Sequence, residues 1–291
     1  PGGKRAPVYD PHRHQGHRQP DLFIFENVPG ILSAAPHGKK VSEIIPKEFS
    51  QKGYEITNKL KGAIVNAADY NVPQNRKRVI LVGIRRKSFE GIDIQKMLDD
   101  FYMCILPSHK GKIRTVKDAI GKLPPLAPYW DEEHHSKRQS HSVPNCDVTW
   151  HVPRYSNLRD MDTFKLLAED LESGKNEYDS RKIAELYEQK VGSKSPIHRY
   201  HVLNPNEPST TIIAHLHKDG NRFIHYDPKQ ARTITPREAG LLQSFDEDFE
   251  FLGARGNVYE MIGNAVPPQL AKALAESVIE LLIKYKSEKY A

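Results

Sequence analysis

Two short, unbroken apolar runs constrain this chain more than anything else in it. Leu22-Phe23-Ile24-Phe25 and residues 78–84 (RVILVGI) are too short for free-standing helices and rich in aromatic or β-branched side chains. Both read as strands. Apolarity that is continuous rather than alternating predicts burial on both faces, the pattern of a parallel α/β sheet. The first run exits into Glu26-Asn27 and then Pro29-Gly30. The second is entered from Val72-Pro73-Gln74-Asn75-Arg76-Lys77-Arg78. Polar groups at the carboxyl end of a buried strand sit where such sheets gather ligands.

Between and beyond these runs the pattern alternates. Residues 41–51 carry apolar positions 41, 44, 45 and 49, a helical spacing that Gly53 would end, although Pro46 counts against a long regular helix. Residues 54–66 read as a strand running into a turn. Strand, helix, strand, strand indicates an α/β fold. From about residue 87 the texture changes, and residues 107–150 are rich in Pro, His, Lys and Ser. A helical pattern returns over 157–191 through Leu166, Leu167, Leu171, Ile183 and Leu186. Thr235-Pro236-Arg237-Glu238 predicts a capping box with Pro at the first helical position. Pro267-Pro268 opens a last helix with its stripe at Leu270, Leu274, Val278, Leu281, Leu282 and Tyr285. The expected organisation is 1–86 in a sheet domain, 87–230 as an inserted region, and 231–291 returning to the sheet domain.

Composition removes several function classes. Two cysteines, Cys104 and Cys146, exclude a disulfide-stapled fold and a four-cysteine zinc site. Fourteen histidines include no H-E-x-x-H spacing, so no metal site is expected. No apolar run is long enough to span a bilayer, and the first twenty residues have no signal-peptide core. The expected location is therefore cytoplasmic, near the nucleoid if the source is bacterial. The net charge of +6 suits a nucleic-acid partner if it gathers along one cleft. His134, His135, Lys137, Arg138 and His141 form a candidate basic cluster.

Three motifs carry candidate chemistry. Glu26 in Phe25-Glu26-Asn27-Val28 places a carboxyl group where it could protonate or hydrogen-bond a ring nitrogen. Alone, such a triplet marks no more than a strand exit. Arg76 and Arg78 are two apart, so on an extended chain they would face one side and suit bidentate contact with phosphate or a carbonyl edge. Alone, they would be a solvated basic turn. Gly263-Asn264-Ala265-Val266-Pro267-Pro268 would leave backbone N–H groups free ahead of the final helix, or simply cap it.

In this order the motifs resemble those of the DNA (cytosine-5)-methyltransferase family. Residues 25–30 are similar to its E-N-V motif, and residues 66–78 to its Q-x-R-x-R motif. Asn204-Pro205-Asn206-Glu207-Pro208-Ser209-Thr210-Thr211-Ile212, residues 232–245 and residues 263–268 resemble its later segments. The resemblance covers about 20–86 and 198–286. It implies an S-adenosylmethionine-dependent, Rossmann-like sheet, incomplete at its N-terminal half, with an inserted small mixed target-recognition domain near 87–200. It implies a flipped cytosine in duplex DNA, attacked at C6 by a cysteine thiolate and methylated at C5. Glu26, Arg76 and Arg78 would be the catalytic set. Glu26 would meet N3 and the exocyclic amine, Arg78 would meet O2, and Arg76 would hold nearby backbone or phosphate. Asn264, Ala265 and Val266 would line the S-adenosylmethionine pocket. Gln74, Arg232 and Arg237 would serve DNA binding.

The departures from the family are specific. Its nucleophile belongs to a Pro-Cys loop upstream of E-N-V, and neither Cys104 nor Cys146 fits that place. Cys104, within Tyr102-Met103-Cys104-Ile105-Leu106, is expected in the core. The Gly-rich cofactor motif has no counterpart. Gly3-Lys4-Arg5 and Asp10-Pro11-His12-Arg13 resemble the stretch that follows the catalytic loop, and the interval from Asp10 to Glu26 is short for the family. Asn71 stands where the family has Gly, and Asn tolerates positive φ. The chain alone is expected to be inactive. A separate N-terminal half or subunit could carry the Pro-Cys loop. The competing readings are a non-catalytic DNA-binding or partner subunit, which the Glu26, Arg76 and Arg78 set weighs against, and an RNA cytosine-5 methyltransferase.

Overall fold

The computed structural model describes residues 19–143, 145–192, 200–218 and 220–290. The N-terminal segments at residues 3–5 and 10–13 lie outside the described residues. Packing divides the chain into two compact units. One comprises Pro1–Val65, Arg78–Met103 and Ile283–Ala291, and the other Asn66–Lys77 and Cys104–Leu282.

The first unit is built on β1 (Leu22–Asn27), α1 (Val41–Gln51), β2 (Tyr54–Glu55), β3 (Ile64–Asn66), β4 (Lys77–Arg85) and α2 (Ile94–Asp100). The strands form one four-stranded sheet with β4 in the middle, in the order β1-β4-β2, and β3 also pairs with β4. Both apolar runs are strands, and the fold is α/β. The sheet is antiparallel where β4 meets β1 and β2, not parallel as the continuous apolarity suggested. That apolarity reports burial on two faces and carries no information on strand direction. Residues 79–84 of β4 are buried. β1 is not: its residues are half-buried or exposed, and Ile24 keeps 40% of its surface. Among the described residues β1 pairs with β4 alone.

The face carrying Phe23, Phe25, Val79 and Leu81 packs with Ile45 and Phe49 of α1 in one cluster. The Phe49 ring lies 4.6 Å from Phe23 and 6.3 Å from Phe25. The helix runs through Pro46, which removes one backbone donor without ending it. The stretch 54–66 is two short strands separated by the turn Leu60–Ala63.

The second unit is mainly helical. It contains α3 (Leu106–Ser108), α4 (Val116–Ile120), α5 (Glu132–Ser136), α6 (Leu158–Ser173), α7 (Ser180–Val191), α8 (Pro236–Leu242), α9 (Arg255–Asn264) and α10 (Pro268–Tyr290) through Leu282. Both α6 and α7 fall within the segment whose spacing predicted helix. The Thr235–Glu238 capping box forms at the start of α8. The main core joins Val116 and Ile120 with Leu203, Ile212, Leu241, Leu242, Val258 and Ile262. A second cluster gathers Phe164, Leu167, Tyr200 and Ile224. The packing boundaries therefore differ from those expected at 86 and 230. Residues 231–282 share a core with α4, whereas α2 belongs to the first unit. Low periodicity marked the loops but could not show which core their flanking helices join. Cys104 is exposed rather than buried. Phe101 and Ile105, four residues apart, take the buried side of that turn, and Met103 faces out with Cys104.

Candidate active site

Glu26 stands opposite Ile80 in the β1–β4 register. Arg78, two residues from Ile80 along β4, is thus its diagonal cross-strand neighbour, within reach of a long side chain. The Arg78 Nε donates to Glu26 Oε1 at 2.8 Å, and the two side chains keep 11% and 29% of their surface. Burial pulls the Arg78 guanidinium below its ordinary value, while the Glu26 carboxylate pulls it back up. Asn27 follows, its Oδ1 accepting the Val28 N–H at 2.8 Å and fixing the exit from the strand. A carboxylate that accepts and a guanidinium that donates can together read the polar edge of a flat heterocycle.

Gln74 and Arg76 are placed quite differently, and both are buried. Gln74 Nε2 donates to the Leu242 carbonyl at 3.1 Å and to Gln243 Oε1 at 2.6 Å, and its Oε1 accepts the Ile212 N–H at 2.9 Å. Arg76 Nη1 donates to the Ile212 carbonyl at 2.9 Å. Its Nη2 donates to the carbonyls of Gly263 and Ala265 at 2.8 and 3.2 Å. β4 begins at Lys77, so the alternation that put Arg76 and Arg78 on one side does not extend to Arg76. The turn before it is held by Asn71 at φ 58°, the left-handed conformation anticipated there.

Residues 263–266 form the junction of α9 and α10. The Ala265 N–H is taken by the Met261 and Ile262 carbonyls at 3.1 and 3.3 Å, so it is not left free for a ligand. The Ala265 carbonyl accepts from Arg76 and, at 2.7 Å, from Gln243 Nε2. The Asn264 side chain is exposed and Val266 is half-buried. A Cβ on Gly263 would collide with the backbone of Ile213 and Ala214, so this close approach requires glycine. Gln243 was not singled out from the sequence. Its signal is slight: one amide in an otherwise apolar helix end.

Arg232 and Arg237 are also interior. Arg232 Nη1 and Nη2 each donate to a Glu238 oxygen at 2.7 Å, and Gln230 Oε1 accepts two further bonds at 2.7 and 3.1 Å. Glu238 at the same time accepts the Thr235 N–H at 2.7 Å, closing the capping box. Arg237 donates to the carbonyls of Thr149, Phe249 and Asp246 at 2.9, 2.9 and 3.2 Å and lies 5.4 Å over the Phe251 ring. Gln74, Arg232 and Arg237, expected to serve DNA binding, are all buried side chains. As placed, their polar atoms face protein partners of the second unit, the usual condition for burying such groups. A sequence shows a charge but not the partner that neutralises it.

The same interior holds three histidines. Burial pushes His225 down to about 3 and His141 to about 4, and lowers His151. Burial raises the Glu238 carboxyl, but the Arg232 charge and hydrogen bonds outweigh it, and the net shift is downward. His141 Nε2 donates to the Gln230 carbonyl at 2.8 Å and its Nδ1 lies 3.0 Å from the Ser140 hydroxyl, so it turns inward, away from the expected basic cluster. His134 is held by Asp131 at 2.7 Å and stacked on Tyr129 at 3.9 Å.

A sequence profile described as C-5 cytosine-specific DNA methylase matches residues 9–280. The type II methyltransferase M.Bpa9945I of Bacillus paralicheniformis is 29% identical over 91% of this chain and 61% of its own length. M1.HphI of Haemophilus parahaemolyticus is 32% identical over 90% of this chain and 58% of its own. The chain thus spans about three fifths of these relatives. A solved E. coli structure described as a DNA modification methyltransferase encoded within a prophage is 25% identical, with a TM-score of 0.50 over 90% of this chain and 70% of that one.

Proposed function

Because the chain belongs to the C-5 cytosine-specific DNA methylase family, we propose that the protein containing it transfers a methyl group to C5 of cytosine in duplex DNA. The observation that carries this reading is the Glu26–Arg78 pair at the end of β1, partly open and complementary to one edge of cytosine. Glu26 accepts from the exocyclic amine and shares a proton with N3, which makes C6 more electrophilic. Arg78 donates to O2 and steadies the ring. A cysteine thiolate from a Pro-Cys loop outside these 291 residues adds to C6.

The methyl donor of this family is S-adenosylmethionine, which supplies an electrophilic methyl group on a sulfonium. The residues at 264–266 fit it in kind. Asn264 offers an exposed amide, Val266 an apolar surface, and the backbone between them is locked by Arg76 and Gln243. Arg76, Gln74, Arg232 and Arg237 serve this reading as supports, holding the second unit in shape.

The test is transfer of labelled methyl groups by the full-length protein to duplex DNA, followed by bisulfite sequencing. The expected product is 5-methylcytosine at one recognition sequence, with residues 1–291 alone inactive. Methylation at a ring nitrogen or on adenine would overturn the reading.

A further inference from the structure

The second unit contains a cavity of about 140 Å³ lined by Arg154, Ser156, Asp160, Lys218, Asn221 and Thr233. That volume holds on the order of five waters, enough for a tetrahedral oxyanion and part of its shell. Its lining is donor-rich. Arg154 and Lys218 bring two full positive charges, Ser156 and Thr233 bring hydroxyls, and Asn221 an amide. The carboxylate on the wall, Asp160, is already engaged: Arg159 reaches its Oδ1 at 3.2 Å and the Asn157 amide its Oδ2 at 3.1 Å. Two cations against this one partnered carboxylate leave the described lining net positive.

The cavity is also held in shape. Arg154 Nη1 donates to the His217 carbonyl at 2.9 Å, which fixes the guanidinium against the loop that carries Lys218. Gly220 brings that loop in closely, since a Cβ there would stand 3.3 Å from Arg154 Nη1 and 3.6 Å from Thr233 Oγ1. Among the described residues, Lys218 Nζ makes no ion pair and the Asn221 amide no hydrogen bond. Asn157 caps the 16-residue helix α6 beside the cavity, and the positive end of that helix adds to the field.

We propose that this cavity seats a backbone phosphate of the DNA substrate. Fixed donors and paired cations suit an oxyanion, and a phosphate contact sets register without reading sequence. The inference rests on the proposed DNA substrate, and it assigns Lys218, Asn221 and Arg154 a positioning task separate from the Glu26–Arg78 pair.

The test uses the full-length protein and compares Lys218→Ala with Lys182→Ala, an exposed lysine of α7 that removes the same charge elsewhere. Equilibrium binding to duplexes with and without the recognition sequence is measured across a salt series, with labelled methyl transfer followed in parallel. Lys218→Ala is expected to weaken both duplexes by a similar severalfold factor and to reduce the slope of log affinity against log salt by about 1, while Lys182→Ala leaves the slope unchanged. Asn221→Ala should weaken binding with the slope intact, since it removes a neutral donor. Lys218→Ala matching Lys182→Ala in affinity and slope overturns the phosphate site, even if methyl transfer is normal. A reduced slope in Lys218→Ala, together with wild-type protein that methylates no cytosine, overturns the proposed function and leaves the phosphate site standing.

Discussion

The chain uses the same chemical pair, an arginine with a glutamate, in two settings. Arg78 Nε and Glu26 Oε1 meet at 2.8 Å, with the carboxylate 29% exposed and no capping duty. Arg232 and Glu238 meet through two bonds of 2.7 Å at about 1% exposure, inside a shell of Gln230, Thr233 and Thr235. In the second pair every guanidinium N–H donates within the fold, and the carboxylate accepts three bonds from protein donors. In the first, the carboxylate keeps a face toward solvent. The difference separates a charge pair that supports structure from one that can be used by a ligand.

Replacing Glu238 should cost most. Glu238→Ala strands the Arg232 charge in the interior, and loss of one partner of a buried pair costs about 3–5 kcal/mol. Urea unfolding of the variant would measure it, and a loss below 1 kcal/mol would erase the contrast. Acid comes next. His225 and His141 have folded pKa values near 3 and 4, below the ordinary 6.5, so the unfolded chain takes up their protons first. Their contribution is present above pH 6.5 and is lost as pH falls toward 3. Glu238 is also depressed, so its contribution is present above 4.5 and fades below it. Unfolding midpoints should therefore drop steadily below pH 6.5, and a flat profile down to pH 4 would contradict this.

Thr235→Ala removes the hydroxyl that caps α8 and should cost about 1 kcal/mol, read by the same unfolding curves. Glu26→Ala should cost least, about 0–1 kcal/mol, because its pair is partly screened by water. A larger loss would move the Glu26–Arg78 pair into the structural class.

Much of the framework was legible in the sequence. Both apolar runs are strands, residues 41–51 are a helix, Asn71 is left-handed, and the capping box opens α8. These follow from signals spread over a few neighbouring residues. Strand direction was not legible, because the β1–β4 pairing joins residues more than fifty apart. Nor was the fate of the arginines. Arg76 is tied to carbonyls at 212, 263 and 265, and Arg237 to carbonyls at 149, 246 and 249. Such partners exist only once the second unit has folded. Of the motif residues, Glu26 and Arg78 were the ones whose pairing a period-two strand could have suggested.

The most direct test is Glu26→Gln in the full-length protein, with single-turnover methyl transfer and thermal unfolding measured on the same sample. Gln keeps the shape of the side chain but removes the charge and the shared proton. Transfer should fall by roughly 10²- to 10⁴-fold, with the unfolding midpoint and duplex affinity nearly unchanged. Transfer at the wild-type rate, or a loss of transfer that only tracks a loss of stability, would contradict the role of the Glu26–Arg78 pair.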